Sequence, residues 1–282
     1  MLDLIRMDLV RMRKMTAFVI LPVLFIAYLG IETYALKKTY EMTHDPYEMI
    51  STLGLEKEVD RDDIPEDVLR SVMDKIELKV DPFEEYSEMM TSMMPALLIV
   101  IFTVLFTNAD QASGFVKTIG GQVKRRSYML FSKLTVIFVF EIYFVAVTFA
   151  AKVILDLIMF NGVKFSAVGT FIGFIGVQLL LHFSLVCFVA MATTVTRSNL
   201  GGMIIGLTTV LDFYVLLLML IEKLIRSTFG KKVELIPYLI TQNIQKVTLN
   251  STDVVKPLII CGVTALISLA LSVLSVEKRD IV

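Results

Sequence analysis

Six runs of mostly apolar residues dominate this chain and decide most of what it can become. A helix needs about 20 such residues to cross about 30 Å of hydrocarbon. The runs cover 16–36, 89–108, 134–151, 165–196, 198–221 and 258–276. Their only acids or bases are Glu32, Glu141 and Asp212. In lipid every backbone N–H and C=O needs an internal partner, so each run is expected to be helical. A hydrophobic share of 56% and a mean hydropathy of +0.74 agree with this. The expectation is an all-α integral membrane protein, one unit over 1–282, with six transmembrane helices.

The N-terminus is not expected to be a cleaved signal, because its apolar run is too long and no small-residue cleavage site follows. Before the first run, Leu2, Ile5, Leu9 and Met12 recur three or four apart, with Asp3, Arg6, Arg13 and Lys14 mostly off that stripe. Such a segment suits the membrane interface, as an N-terminal helix lying beside the first span. The alternative is a plain extension of that span. Arg6, Arg11, Arg13 and Lys14 flank the first run on its N-terminal side. The strip 115–134 carries five basic residues and no acid. By positive-inside bias both lie in the cytoplasm, and six spans then put both termini there. Segment 222–256, with six bases and three acids, pulls the other way.

Residues 37–88 are then an extracellular insertion. They hold sixteen acids and seven bases, a net charge of −9. Asp63 is a possible N-cap, followed by Pro65 in the first turn and Glu66 three residues past the cap. Ile64, Val68, Leu69, Val72, Met73, Ile76 and Val80 follow at helical spacing. This apolar stripe packs on the insertion itself or meets an apolar cargo. A second outer segment, 233–250, reads as a short interfacial or re-entrant helix around Pro237.

The chain-wide charge of −1 gives no field that would draw a nucleic acid. No P-loop follows Gly120, Gly121 or Gly230, so no ATP site of that kind is expected. There is no HExxH and no CxxC, and the cysteines Cys187 and Cys261 sit in apolar runs as packing residues. No catalytic or metal constellation emerges, and the chain is not read as an enzyme. Apart from Glu32 near the end of the first run, three titratable side chains other than cysteine and tyrosine stand inside the runs. Glu141 lies about 16 Å from the inner start of its helix, and His182 and Asp212 each lie about 22 Å from the loop at Arg197. Matched depth on adjacent spans lets His182 and Asp212 pair, as a structural tie or as part of a polar cavity. Gly202 and Gly206 form a GxxxG, which allows close approach within the bundle or across a dimer.

The segment 109–134, "ADQASGFVKTIGGQVKRRSYMLFSKL", resembles the inner segment between spans two and three of ABC-2-type exporter permeases. The tail "SVEKRDIV" is similar to that family's short tail. Among its members, peptide exporters of Gram-positive bacteria, for phenol-soluble modulins and lantibiotics, look most alike. The family often has a glutamate where this chain has Asp110, and a proline near Gln122 or Val123.

The resemblance implies a permease with no cofactor of its own, ATP and Mg being held by a separate cytoplasmic ATPase. It implies two ATPase copies, a second permease copy and an amphipathic peptide cargo. Dimer contacts would involve spans one and five. It implies a coupling segment in which Asp110, Gly114, Phe115, Lys117, Thr118, Ile119, Gly120 and Gly121 meet the ATPase. Phe115 and Ile119 share a helical face, and the two glycines allow a sharp turn after it. Lys124, Arg125 and Arg126 face lipid headgroups or the ATPase. An ordinary basic inner loop explains the charge but not this layout. A membrane sensor or structural protein, with 37–88 as its ligand or partner domain, is the reading from another class.

Overall fold

The structure is a computed structural model that describes residues 1–43, 79–112, 126–160, 162–229 and 233–278. The coupling residues from Gly114 to Gly121 and the stripe from Ile64 to Ile76 lie outside the described residues. Among the described residues the fold is helical. Helix α1 (Leu2–Lys14) ends where Met15 turns extended, and α2 (Ala17–Thr43) follows. Then come α3 (Pro82–Thr91), α4 (Met93–Ala112) and α5 (Ser127–Met159). After these come α6 (Val168–Thr196), α7 (Asn199–Val210), α8 (Phe213–Phe229), α9 (Ile240–Lys246) and α10 (Val255–Glu277).

Four helices, α2, α5, α6 and α10, are long and apolar enough to cross a membrane. The other two expected spans are bent pairs. Helices α3 and α4 meet at 58°, and α7 and α8 at 67°. The chain has the build of a multi-pass helical membrane protein, with six crossings if each bent pair counts as one. Its helices are apolar on the outside too. Ile142, Ile154 and Leu157 on α5, Ile172 and Leu180 on α6, and Ile259, Leu266 and Ile267 on α10 are exposed. A helix apolar all round belongs in a core or in lipid.

The first break has a local cause. Pro95 lacks an N–H, and its ring clashes with the carbonyl four residues back, which belongs to Thr91. Helix α3 ends there. The second break falls at Asp212, whose φ of 55° is left-handed. Aspartate visits that region more readily than most residues.

Helix α6 is the hub, packing on α10, α4, α7, α5, α9 and α3. Helix α5 has 33 residues, about 50 Å, and outruns the hydrocarbon layer. It lies antiparallel to α6. Phe138 meets Phe183 at 5.0 Å, and Phe149 meets Phe171 at 5.0 Å, between ring centroids. Phe102 of α4 stacks on Phe140 of α5 at 3.6 Å, and Phe25 of α2 touches Phe144 at 5.3 Å. Such aromatic pairs add to the burial term.

Two very short strands, β1 (Lys79–Val80) and β2 (Gly162–Val163), pair in parallel. They join the end of the acidic insertion to the turn after α5, an element the apolar runs do not signal. Val80, the described member of the expected stripe, is buried there.

The GxxxG is used inside the chain. A Cβ on Gly202 would stand 2.4 Å from Thr193 Oγ1 of α6, and one on Gly206 would stand 2.6 Å from Val100 Cγ1 of α4. Helix α7 thus lies close on both neighbours because these two residues have no side chain.

Candidate functional site

A hydrocarbon interior tolerates polar side chains only where the protein partners them or uses them. Those of this bundle fall into three levels, along α5 above all. Thr148, Lys152 and Asp156 follow Glu141 at steps of seven, four and four residues, so the four share one face.

At the level nearest α1, Ser132 at the start of α5 donates to buried Asp8 of α1 at 2.6 Å. Arg11 stands 3.6 Å from the same carboxylate. Lys133 Nζ donates to the carbonyl of Thr107 on α4 at 2.5 Å. Helix α1 is therefore held against α5 by a polar contact as well as by its apolar stripe. Asp110, near the end of α4, has no described side chain.

At the middle level, Glu141 is completely buried, and neither carboxyl oxygen has a hydrogen-bond partner among the described residues. His182, also buried, lies 2.9 Å by Nδ1 from the carbonyl oxygen of Gln178. A carbonyl only accepts, so Nδ1 carries the proton. Gln178 itself donates to the carbonyls of Ile244 and Val247, at 3.1 and 2.8 Å, and so grips α9.

The expected partnership of His182 with Asp212 is not made. Equal depth assumed a straight span, whereas the chain turns by 67° at Asp212. Its carboxylate goes to α9 instead. It accepts from Thr241 Oγ1 at 2.5 Å, Gln245 Nε2 at 3.1 Å and Gln242 Nε2 at 3.4 Å. Polar groups of α6 and of the α7–α8 break thus clamp the short helix α9 from two sides. Helix α9 belongs to the segment expected to be re-entrant or interfacial.

At the level towards the C-terminal end of α5 stand Lys152 and Asp156, an ion pair at 2.5 Å with both side chains fully buried. Lys152 also donates to Thr33 Oγ1 of α2 at 3.2 Å. One turn earlier, Tyr86 of α3 bonds Thr148 at 2.8 Å. Asp81 caps α3 by accepting from the amide of Phe83 at 2.9 Å, and it also accepts from the hydroxyl of Ser166. Sequence reading missed this pair because the span was closed at the residue before Lys152. The i, i+4 spacing of Lys152 and Asp156 was the available signal. Asp8 was not singled out, although it lies three residues from Ile5 and four from Met12, on the same face of the helix.

Glu141, His182 and Asp212 are therefore not brought to one point by any hydrogen bond or ion pair among the described residues. No group of three or more His, Cys, Asp or Glu suited to a metal occurs among those residues either.

A family model described as a protein of unknown function, DUF2705, matches residues 72–282, about three quarters of the chain. The chain belongs to the DUF2705 family. The DUF2705 match takes in α3 to α10 and all three polar levels on α5, and it leaves α1 and α2 outside. No curated protein matches the chain.

Proposed function

We propose that the chain is the membrane-spanning permease subunit of an ABC-2-type, ATP-driven exporter. It hydrolyses nothing itself. A separate cytoplasmic ATPase, in two copies, holds ATP and Mg. A second permease copy, the same chain or a sister chain, completes the pathway in the cytoplasmic membrane, with both termini inside. The cargo is an amphipathic peptide of the phenol-soluble modulin or bacteriocin kind.

One observation carries the reading. The basic strip between α4 and α5 is bounded by anchored helix ends. Lys133 ties the start of α5 to Thr107 near the end of α4, and Ser132 ties it to α1 through Asp8. A force applied to that strip reaches three helices without slack, which is what coupling to an ATPase requires. Helix α6 then passes movement to α7 and α10 through direct packing.

The test is co-purification of the full chain with a candidate P-loop ATPase. The wild-type chain is expected to retain it. Phe115→Asp with Ile119→Asp is expected to insert in the membrane and lose it. Equal recovery with both chains would remove the coupling role from these residues, and no recovery with either would remove the exporter reading.

A further inference from the structure

A cavity of about 150 Å³ opens beside Asp212, at the break between α7 and α8. This is well beyond the space one water needs. Its walls come from α6, α7, the break itself, the start of α8, α10, and the start of α9 with the residues leading into it. Asp212, Thr209, Thr264, Phe188, Tyr214 and Tyr238 carry its chemistry, and Leu239 and Ile240 add apolar surface.

The hydrogen bonds fix what the polar walls present. Thr209 donates to the carbonyl of Ile205 at 2.7 Å, and Thr264 to that of Ile260 at 2.7 Å. Thr241 donates to Asp212 at 2.5 Å. Carbonyls and carboxylates only accept, so all three threonine protons are committed, and these three hydroxyls offer the cavity only oxygen lone pairs. Asp212 accepts three bonds out of about four lone-pair sites, and no ion pair joins it to a base among the described residues. Among the described residues no basic side chain lines the space. The described walls therefore combine one carboxylate, three threonine acceptor oxygens and three aromatic rings, two of them bearing a hydroxyl. Aromatic faces attract cations, organic ammonium groups among them. A bare metal ion would leave the rings and Leu239 unused. A span broken at mid-depth is also where transport proteins expose irregular backbone to a site. The left-handed Asp212 is such a strained point.

We propose that this cavity binds an organic ammonium group, with Asp212 as counter-charge and Phe188, Tyr214 and Tyr238 as its aromatic wall. The same chemistry comes from a lysine side chain of a peptide or from the headgroup of a choline lipid. The proposal does not rest on the ATPase reading, because its test contains neither ATP nor ATPase.

The experiment is calorimetric titration of the full chain in phosphatidylglycerol nanodiscs, which hold no choline, at constant ionic strength. The probes are n-butylammonium for a lysyl group, choline for a lipid headgroup, and 3,3-dimethylbutan-1-ol, the uncharged analogue of choline. At least one cation is expected to bind at least about tenfold tighter than the alcohol, a difference of about 1.4 kcal/mol. Tighter binding of n-butylammonium names the peptide source, and tighter binding of choline names the lipid. Asp212→Asn keeps a residue at ease in the left-handed region and is expected to abolish the preference for cations. Tyr238→Leu changes an exposed ring and is expected to weaken the cation several-fold in a chain that folds normally. Equal binding of cation and alcohol, no binding of either cation, or unchanged affinity in both variants would overturn the proposal.

Discussion

The buried pair Lys152–Asp156 gives a quantitative test of how this part of the bundle is held. Both side chains are fully buried, and the lysine makes its other bond to Thr33 of α2. Lys152→Met keeps length and apolar stem but removes the cation. Asp156 is then a bare carboxylate whose second oxygen already lacks a hydrogen-bond partner. Removing one partner of a buried pair typically costs about 3–5 kcal/mol. Asp156→Leu strands the ammonium with a single hydroxyl acceptor and should cost a similar amount. Changing both together strands neither charge, and apolar replacement of a whole buried pair is often neutral or stabilising by about 1–4 kcal/mol. The assay is unfolding of the full chain in mixed micelles with rising dodecyl sulfate, followed by helical circular dichroism. The two single variants should each unfold early, and the double variant should unfold close to wild type or later. Additive losses in the double variant, or losses below about 1 kcal/mol in the singles, would refute the reasoning from burial.

Glu141 is a buried acid without a hydrogen-bond partner among the described residues, so Glu141→Leu should stabilise the same unfolding transition by about 1–3 kcal/mol, the usual cost of an unsatisfied buried polar group. A loss of stability would show that the carboxyl is partnered. Gly206→Ala should be about 1–3 kcal/mol less stable than Gly262→Ala, which meets nothing within 4 Å. Both gain the same helix propensity, and Val100, stiff at χ1, cannot yield. Cysteines introduced at Ser51 and Ser71 should react with a membrane-impermeant thiol reagent on whole cells, and labelling only after lysis would reverse the topology. Replacing 45–77 by a Gly/Ser linker spares Val80, Asp81 and Phe83, which belong to the packed fold. It should leave a folded permease that no longer exports amphipathic peptides, and unchanged export would exclude this segment from cargo handling.

The apolar runs were legible because burial in lipid demands length and little charge, and a helix or bent helix pair covers nearly all of each, although α2, α5 and α8 run on past their ends. That a separate helix α1 precedes the first run was legible from Ile5, Leu9 and Met12, which pack on the core, whereas Leu2 of the same stripe is exposed. The break after Thr91 was written in Pro95, but the apolar run was read through it. The break at Asp212 has no such local sign. No proline stands near it, and its bonds go to Thr241, Gln242 and Gln245, about thirty residues away. For the same reason His182 was paired with the wrong partner: matched depth on ideal helices carries no knowledge of a bend. The site at the break depends on tertiary contacts, because its residues come from Phe188, the break at Asp212, the segment 238–241 and Thr264, far apart in sequence.

The central claim is that this permease turns ATP hydrolysis on a partner into peptide export. The direct measurement is the rate of ATP hydrolysis by the co-purified complex in proteoliposomes, with and without a cationic amphipathic peptide. The account predicts that peptide raises the rate with the wild-type chain and leaves it unchanged with Phe115→Asp and Ile119→Asp. A rate equal to that of the isolated ATPase, whether or not peptide is present, would contradict it.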